Sequence, residues 1–270
     1  MRKNLLVMLF AVLFAGCERT ELSTWSNEIK PVVFSIITPG RQIQVFVGIT
    51  GEESKNNDIL FSENAIVTIS DSLGNKTELR RKSSFSNIFV DKYNIVNLQQ
   101  GCTYYLKVEI SELEITAKTT IPYVKGKILE ADCQVPANIS NNSQSNYGYA
   151  TLNVSMQLTE PNQFGYFLTA FDRPVNRGIL YSNNYFDEYY FLAYVTETFP
   201  LHLMTTDMAY RKFLVSKYTD KYATTGDINS IISSFGGVQP AYSNIKNGVG
   251  LFGSFVKDSL IVKVTKSNFN

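Results

Sequence analysis

The 270 residues carry 25 Lys and Arg, 24 Asp and Glu and a single His, giving a formal net charge of +1. With no basic field to displace counterions from phosphates, nucleic-acid binding is excluded as a main activity, and one histidine leaves little for zinc or triad chemistry. Tyr and Phe dominate the 13% of aromatics, and together with many Ile, Val and Thr they favour strands over helices.

Arg2 and Lys3 precede an unbroken apolar run from Leu5 to Phe14, of signal-peptide length and too short to span a bilayer. Ala15-Gly16 and then Cys17 complete a lipobox. Residues 1–16 are expected to be removed as a lipoprotein signal peptide, with lipidation at Cys17. The alternative is an ordinary secretory signal with a chance cysteine. Removal leaves 254 residues, in which 23 basic side chains face 24 acidic ones. That length supports one large or two moderate domains. No second segment is long and apolar enough to span a membrane, so acyl chains would provide the anchor, two or three of which hold firmly.

Residues 17–27 read as a lipidated tether, with Glu18 and Glu21 just after the cysteine. Strands are expected from Pro31 to Thr38 and, after the turn pair Pro39-Gly40, through Ile43, Val45, Val47 and Ile49, which alternate with Gln42, Gln44 and Phe46. A charged loop, Glu52 to Asn57, precedes a strand at Ala65 to Ser70 that is closed by the turn Asp71 to Asn75. Thr77 to Leu79 and Ile88 to Val90 give short strands, and Arg80-Arg81-Lys82 a solvated turn or strand edge. The clearest hairpin runs from Tyr104 to Ile110 and from Leu113 to Thr119, about Ser111-Glu112. These strands predict an immunoglobulin-like β-sandwich over 28–123, ended by Pro122.

A second, antiparallel β-rich domain is expected over 124–270. It starts with Gly126 to Cys133 and continues after an Asn/Ser-rich loop from Pro136 to Gly148. Ala150, Leu152, Val154, Met156 and Leu158 form one face of a long strand, which Glu160-Pro161-Asn162 turns back into Gly165 to Phe171. Tyr181 to Phe199 is an aromatic belt. Tyr210, Phe213, Leu214 and Tyr218 then recur at helical spacing, predicting one amphipathic helix over 206–218 capped by Thr205, Thr206 or Asp207. A shorter helical turn is expected at Asp227 to Ser234, and two closing strands at Gly248 to Phe255 and Leu260 to Val264.

Few residues offer chemistry. His202, in Leu201-His202-Leu203-Met204, reads as a strand residue with a satisfied hydrogen bond. Asp187 and Glu188, adjacent on a strand, point to opposite faces and make a poor carboxylate pair for glycoside hydrolysis. Gly236-Gly237 and Gly248-Val249-Gly250 lack the lysine and helix of a phosphate loop. No metal site, cofactor or catalytic residue is expected. Cys102 and Cys133 are an even pair in an exported chain, either bridged as a disulfide or left as two buried thiols. Within the belt, Tyr185, Phe186, Tyr189 and Phe191 are the candidate ligand or partner surface, the other reading being aromatics filling the second core.

Several stretches together carry a family likeness. They are Pro31-Val32-Val33, Asn64 to Asp71, Gly101 to Leu106 and Ile115 to Pro122, then Leu158 to Pro161 before Gly165 to Leu168, and Asn244 to Gly253. In their order and spacing these resemble the domain-of-unknown-function family 4249, lipoproteins of the Bacteroidota outer membrane. The likeness covers nearly the whole mature chain. It implies a place beside TonB-dependent receptors and brings no catalytic residues. The expectation is a non-enzymatic, lipid-anchored outer-membrane accessory to a TonB-dependent nutrient transporter, facing the cell surface or, alternatively, the periplasm. Competing expectations are a structural or adhesive surface lipoprotein and, further off, a glycan or peptide hydrolase. The ligand is not specified by the sequence.

Overall fold

The computed structural model of the chain describes residues 30–50, 59–61, 64–84, 86–135, 147–170, 173–174, 186–194, 197–222 and 242–266. These form fifteen strands and one helix, so the mainly β class with a single helix is as expected. The expected tether, the loop Glu52 to Asn57, Asp227 to Ser234 and Gly236-Gly237 lie outside the described residues.

The first unit comprises β1 (Pro31–Ile37), β2 (Gln44–Thr50), β3 (Ile59–Phe61), β4 (Ile66–Asp71), β5 (Lys76–Arg81), β6 (Ile88–Val90), β7 (Thr103–Ile110) and β8 (Leu113–Thr120). Alternation is what forms them. In β1 every odd residue from Pro31 to Ile37 is buried and every even one is half-buried. Pro39-Gly40 turns the chain as expected, with Gly40 at φ 76 and Arg41 N–H donating to Thr38 O at 3.3 Å. Ile43, Val45 and Val47 then follow into the same core. β5 pairs with β4 through Lys76 to Leu79 and with β6 through Arg80 and Arg81, so it passes from one sheet layer to the other. Both layers contribute to one core, with Val33, Ile37, Val45 and Val47 on one side and Val67, Ile69, Leu106 and Val108 on the other.

The second unit holds β9 (Lys127–Val135), β10 (Tyr147–Gln157), β11 (Gly165–Ala170), β12 (Arg173–Pro174), β13 (Phe186–Tyr194) and β14 (Thr198–Thr206). The loop expected to extend to Gly148 gives way to β10 at Tyr147. A second core gathers Leu152, Val154, Met156, Tyr166, Leu168, Phe199, Leu201 and Leu203. The helix, α1 (Met208–Tyr222), begins and ends later than the 206–218 expected. Tyr210, Phe213 and Leu214, on its expected apolar face, are half-buried.

Sequence reasoning placed two short strands at the end of the chain. One strand of 18 residues, β15 (Val249–Lys266), takes their place. Residues 249–254 pair in parallel with β1, residues 255–263 antiparallel with β14, and residues 264–266 in parallel with β9. The segment Gly248 to Phe255, expected to close the second domain, therefore completes the first. Phe252 and Val256 lie in the first core and Val262 and Val264 in the second, all on the same alternating face. The opposite face is buried too between Leu251 and Phe255, where α1 covers it. At ~3.3 Å per residue β15 is about 60 Å long. Because β1 runs parallel to its first segment, Pro31 sits at the end of this spine remote from the second unit.

Each core holds one buried tyrosine that ties down an incoming loop. Tyr104 donates to Asn97 O at 3.0 Å and accepts from Gln99 N–H at 2.7 Å. Tyr166 donates to Thr159 O and accepts from Thr159 N–H at 3.1 Å. Burial raises the pKa of both hydroxyls above the usual tyrosine value, keeping each one a donor.

Gly250 sits where β15 meets β1, at φ +127, and a Cβ there would lie 1.9 Å from Val33 O. Gly250→Ala is expected to displace β15 from β1 and lower stability by more than about 3 kcal/mol, because steric overlap with backbone adds to left-handed strain. Gly74, at φ +91 with open space around its Cβ position, is the control. Gly74→Ala meets the strain alone, about 1–2 kcal/mol. Urea unfolding midpoints of the two variants test the difference.

Candidate functional site

Two features stand out from the scaffold: the aromatic strand β13 and a polar joint between the units. Tyr185 lies outside the described residues. Phe186, Tyr189 and Phe191 lie on β13, which among the described residues pairs with β10 alone and so forms a sheet edge. Register sorts the belt. Positions 189 and 191 stand opposite Leu152 and Ala150, both fully buried core residues. Positions 186, 188 and 190 stand opposite Ser155, Asn153 and Thr151, which alternate with the core row. Asp187 and Glu188 fall in different rows, as adjacent strand residues must.

The polar joint lies where the two cores meet on β15. Asp207 caps α1, its Oδ1 accepting from Tyr210 N–H at 2.9 Å and from Ser254 N–H at 3.3 Å. Its Oδ2 lies 2.6 Å from Thr119 Oγ1. Thr119 Oγ1 is also 3.0 Å from Ser254 Oγ, which donates to Thr120 O at 2.9 Å. These groups come from β8, from the β14–α1 corner and from β15, and Asp207, Thr119 and Ser254 are all buried. Burial pushes the Asp207 carboxyl above the ordinary carboxylate range, partly offset by the Thr119 hydroxyl and the Tyr210, Ser254 and Ala209 N–H groups. Beside the joint, Gly126 N–H donates to buried Thr205 Oγ1 at 2.9 Å. Phe34 of β1 meets Phe213 of α1 edge-on with ring centroids 5.7 Å apart, so the helix braces the first unit as well.

A second charged contact sits farther along β15. Burial opposes ionisation of Asp258, but the Ile128 N–H at 2.9 Å and the Lys125 ammonium at 2.9 Å prevail and hold its carboxyl below the ordinary value. At the β4–β5 turn the Asn75 side chain, with the backbone N–H groups of Asn75 and Leu73, holds Asp71 low against a smaller opposing effect of burial.

The remaining sequence candidates separate. Cys17 lies outside the described residues. Cys102 and Cys133 are free thiols, so the disulfide reading gives way to its alternative. Cys102 packs half-buried against the first core and Cys133 is fully buried in the second, which keeps them in different units. Burial, with the negative charges of Asp132 and Glu197, pushes the Cys133 thiol up to about 12. His202 Nδ1 lies 2.7 Å from Ser259 Oγ across the β14–β15 pair, a satisfied strand residue. Arg80 and Arg81 lie on β5, stacked over Tyr93 and Phe89 at 5.4 and 4.7 Å from the ring centroids. Among the described residues no group of three or more His, Cys, Asp or Glu side chains is arranged to hold a metal ion.

The joint is the feature that sequence reasoning missed. The signals were an Asp ahead of a helical run, Thr119 in the alternating row of Leu113, Ile115 and Ala117, and Ser254 in the apolar run Leu251 to Val256, but nothing local indicated that they meet. The chain matches no model of a known protein family and no curated protein.

Two outcomes follow from this geometry. Under native conditions Cys133 should resist iodoacetamide while half-buried Cys102 is modified, and both should react once the chain is unfolded in urea, as counted by mass spectrometry; such a high thiol value leaves almost no thiolate. In the belt, Tyr189→Ala and Phe191→Ala, at positions paired with fully buried Leu152 and Ala150, should lower stability in chemical denaturation by more than Phe186→Ala and Tyr190→Ala, at positions paired with half-buried Ser155 and Thr151.

Proposed function

We propose that this chain is a lipid-anchored outer-membrane protein acting as a non-enzymatic accessory subunit of a TonB-dependent transporter, helping to capture or admit a nutrient. The lipobox ending in Cys17 carries the reading, because it supplies a membrane address independent of the fold. The resemblance of the mature chain to the outer-membrane lipoprotein family supplies the association with such receptors.

The architecture suits the role. The tether would enter at Lys30, next to the Pro31 end of β1, and the second unit continues β15 away from that end. The thirteen residues from Glu18 to Lys30 reach at most about 45 Å when extended, so the start of the first unit stays within that distance of the bilayer. Confinement to two dimensions raises the effective concentration at a neighbouring barrel, and a modest protein contact then suffices. β13 offers that contact a sheet edge, to which a partner strand or loop can add main-chain hydrogen bonds.

A palmitate analogue should label the wild type and leave Cys17→Ala unlabelled. Mild-detergent purification of the labelled protein should bring a TonB-dependent barrel with it, and deletion of the gene should reduce uptake of that barrel's substrate. Unchanged uptake, with no barrel recovered, would remove the proposal. Loss of the barrel on Phe186→Ala or Tyr190→Ala, with stability retained, would assign the contact to β13.

A further inference from the structure

A proton count at the joint between the units leads beyond the accessory role. Three oxygen–oxygen contacts run in series: Asp207 Oδ2 to Thr119 Oγ1 at 2.6 Å, Thr119 Oγ1 to Ser254 Oγ at 3.0 Å, and Ser254 Oγ to Thr120 O at 2.9 Å. Each contact needs one proton between its two oxygens. A hydroxyl carries a single proton, so Thr119 and Ser254 supply two. A backbone carbonyl supplies none. With Asp207 ionised, whichever way the two hydroxyl protons are oriented, one of the three contacts holds two lone pairs facing each other.

We propose that Asp207 is held as a neutral carboxylic acid and that its proton completes this chain, making the joint between the units a proton-dependent latch. The acid then donates from Oδ2 to Thr119, Thr119 donates to Ser254, and Ser254 donates to Thr120 O. The carbonyl oxygen Oδ1 accepts the Tyr210 and Ser254 N–H groups. The two carboxyl oxygens thus have different surroundings, one facing N–H donors and the other a hydroxyl, as a protonated acid requires. Asp207, Thr119 and Ser254 are buried, so bulk water does not reach the contacts between them.

The charged and titratable groups around the latch come from each element packed on it. On α1, Arg211 directs its guanidinium to the carbonyls of Pro161, Asn162 and Phe164, and Lys212 lies over the Tyr242 ring. Tyr242 is raised above the usual tyrosine value by burial and by the charge Asp207 would carry, so it stays neutral where Asp207 titrates. On β15, Lys257 is exposed and Asp258 is engaged by Lys125. On β8, Lys118 is exposed. On β14, His202 bonds Ser259.

The sign of the pH dependence follows. A carboxyl whose folded value is raised adds stability that is fully present below its ordinary value of 3.8 and is lost as pH rises through the folded value. Asp71 and Asp258, held low, act in the opposite sense and in a separate window, losing their contribution as pH falls below 3.8. Between about pH 4.5 and 8 the latch is therefore read without them.

Asp207→Asn is the test, since an amide mimics the neutral acid, donating from one side and accepting on the other. In the full mature chain, the wild-type urea midpoint should rise as pH is lowered across that window. The Asn variant should be flat over it and at least as stable as the wild type at its upper end. Infrared spectra of the wild type at neutral pH should contain a protonated-acid carbonyl band that the variant lacks. A variant weaker than the wild type throughout the window, with a flat wild-type profile, would overturn the latch. If the variant does not fold, infrared titration of the wild type alone decides: no protonated carboxyl at neutral pH overturns the proposal, and one band that disappears as pH rises, together with a loss of stability, supports it.

Discussion

A single strand that must pair correctly with three different partners constrains the rest of this molecule. β15 joins β1, β14 and β9 in turn, and its core-facing row supplies Phe252 and Val256 to one core and Val262 and Val264 to the other. Side chains alternate with a period of two, so a one-residue slip of β15 would turn that whole row outward in both units at once. Register in one unit therefore fixes register in the other. The approach at Gly250 enforces this, because no other residue type lets the β15 backbone come so close to Val33. The cost is in folding. β1 and β15 lie at opposite ends of the described chain, and pairing of such high sequence separation forms slowly. The first unit lacks an edge strand of its sheet until the chain's end returns to it.

Much of the strand layout was legible because alternation is a local signal. Val45 and Val47, Leu106 and Val108, and Leu152 and Val154 each announce one buried face, and the structure buries them. Pro39-Gly40 was legible for the same reason, and Asp207 as one of three candidate caps, since a turn and a helix cap are decided within a few residues. The run Leu251 to Val256 was legible as a strand but not as a spine. Its continuous burial reflects α1 on one face and the first core on the other, and neither neighbour is encoded near it in sequence. The cysteines failed for a related reason. An even number permits a bridge, but only the fold reveals that Cys102 packs on one core and Cys133 in another.

The belt shows a different limit. Phe186, Tyr189, Tyr190 and Phe191 place aromatics on both parities of one strand, so periodicity cannot choose a face. Pairing with β10 supplies what the pattern lacked, setting 189 and 191 opposite buried residues and 186 and 190 opposite polar ones. Register thus ranks the positions of the belt where periodicity could not.

A polar joint where two cores meet needs its own explanation, because an apolar seam of the same shape could be as stable. What hydroxyls and a carboxyl add is direction. Apolar contacts tolerate sliding, whereas the series from Asp207 through Thr119 and Ser254 to Thr120 is satisfied at one arrangement of β8, β15 and the α1 corner. The continuous backbone of β15 sets the distance between the units, and the joint sets the angle at which α1 and the second unit meet the first. A small change of angle at the joint becomes a larger displacement at the far end of a spine about 60 Å long. A group that makes or breaks one directional bond there acts on the angle between the units without touching the packing of either core.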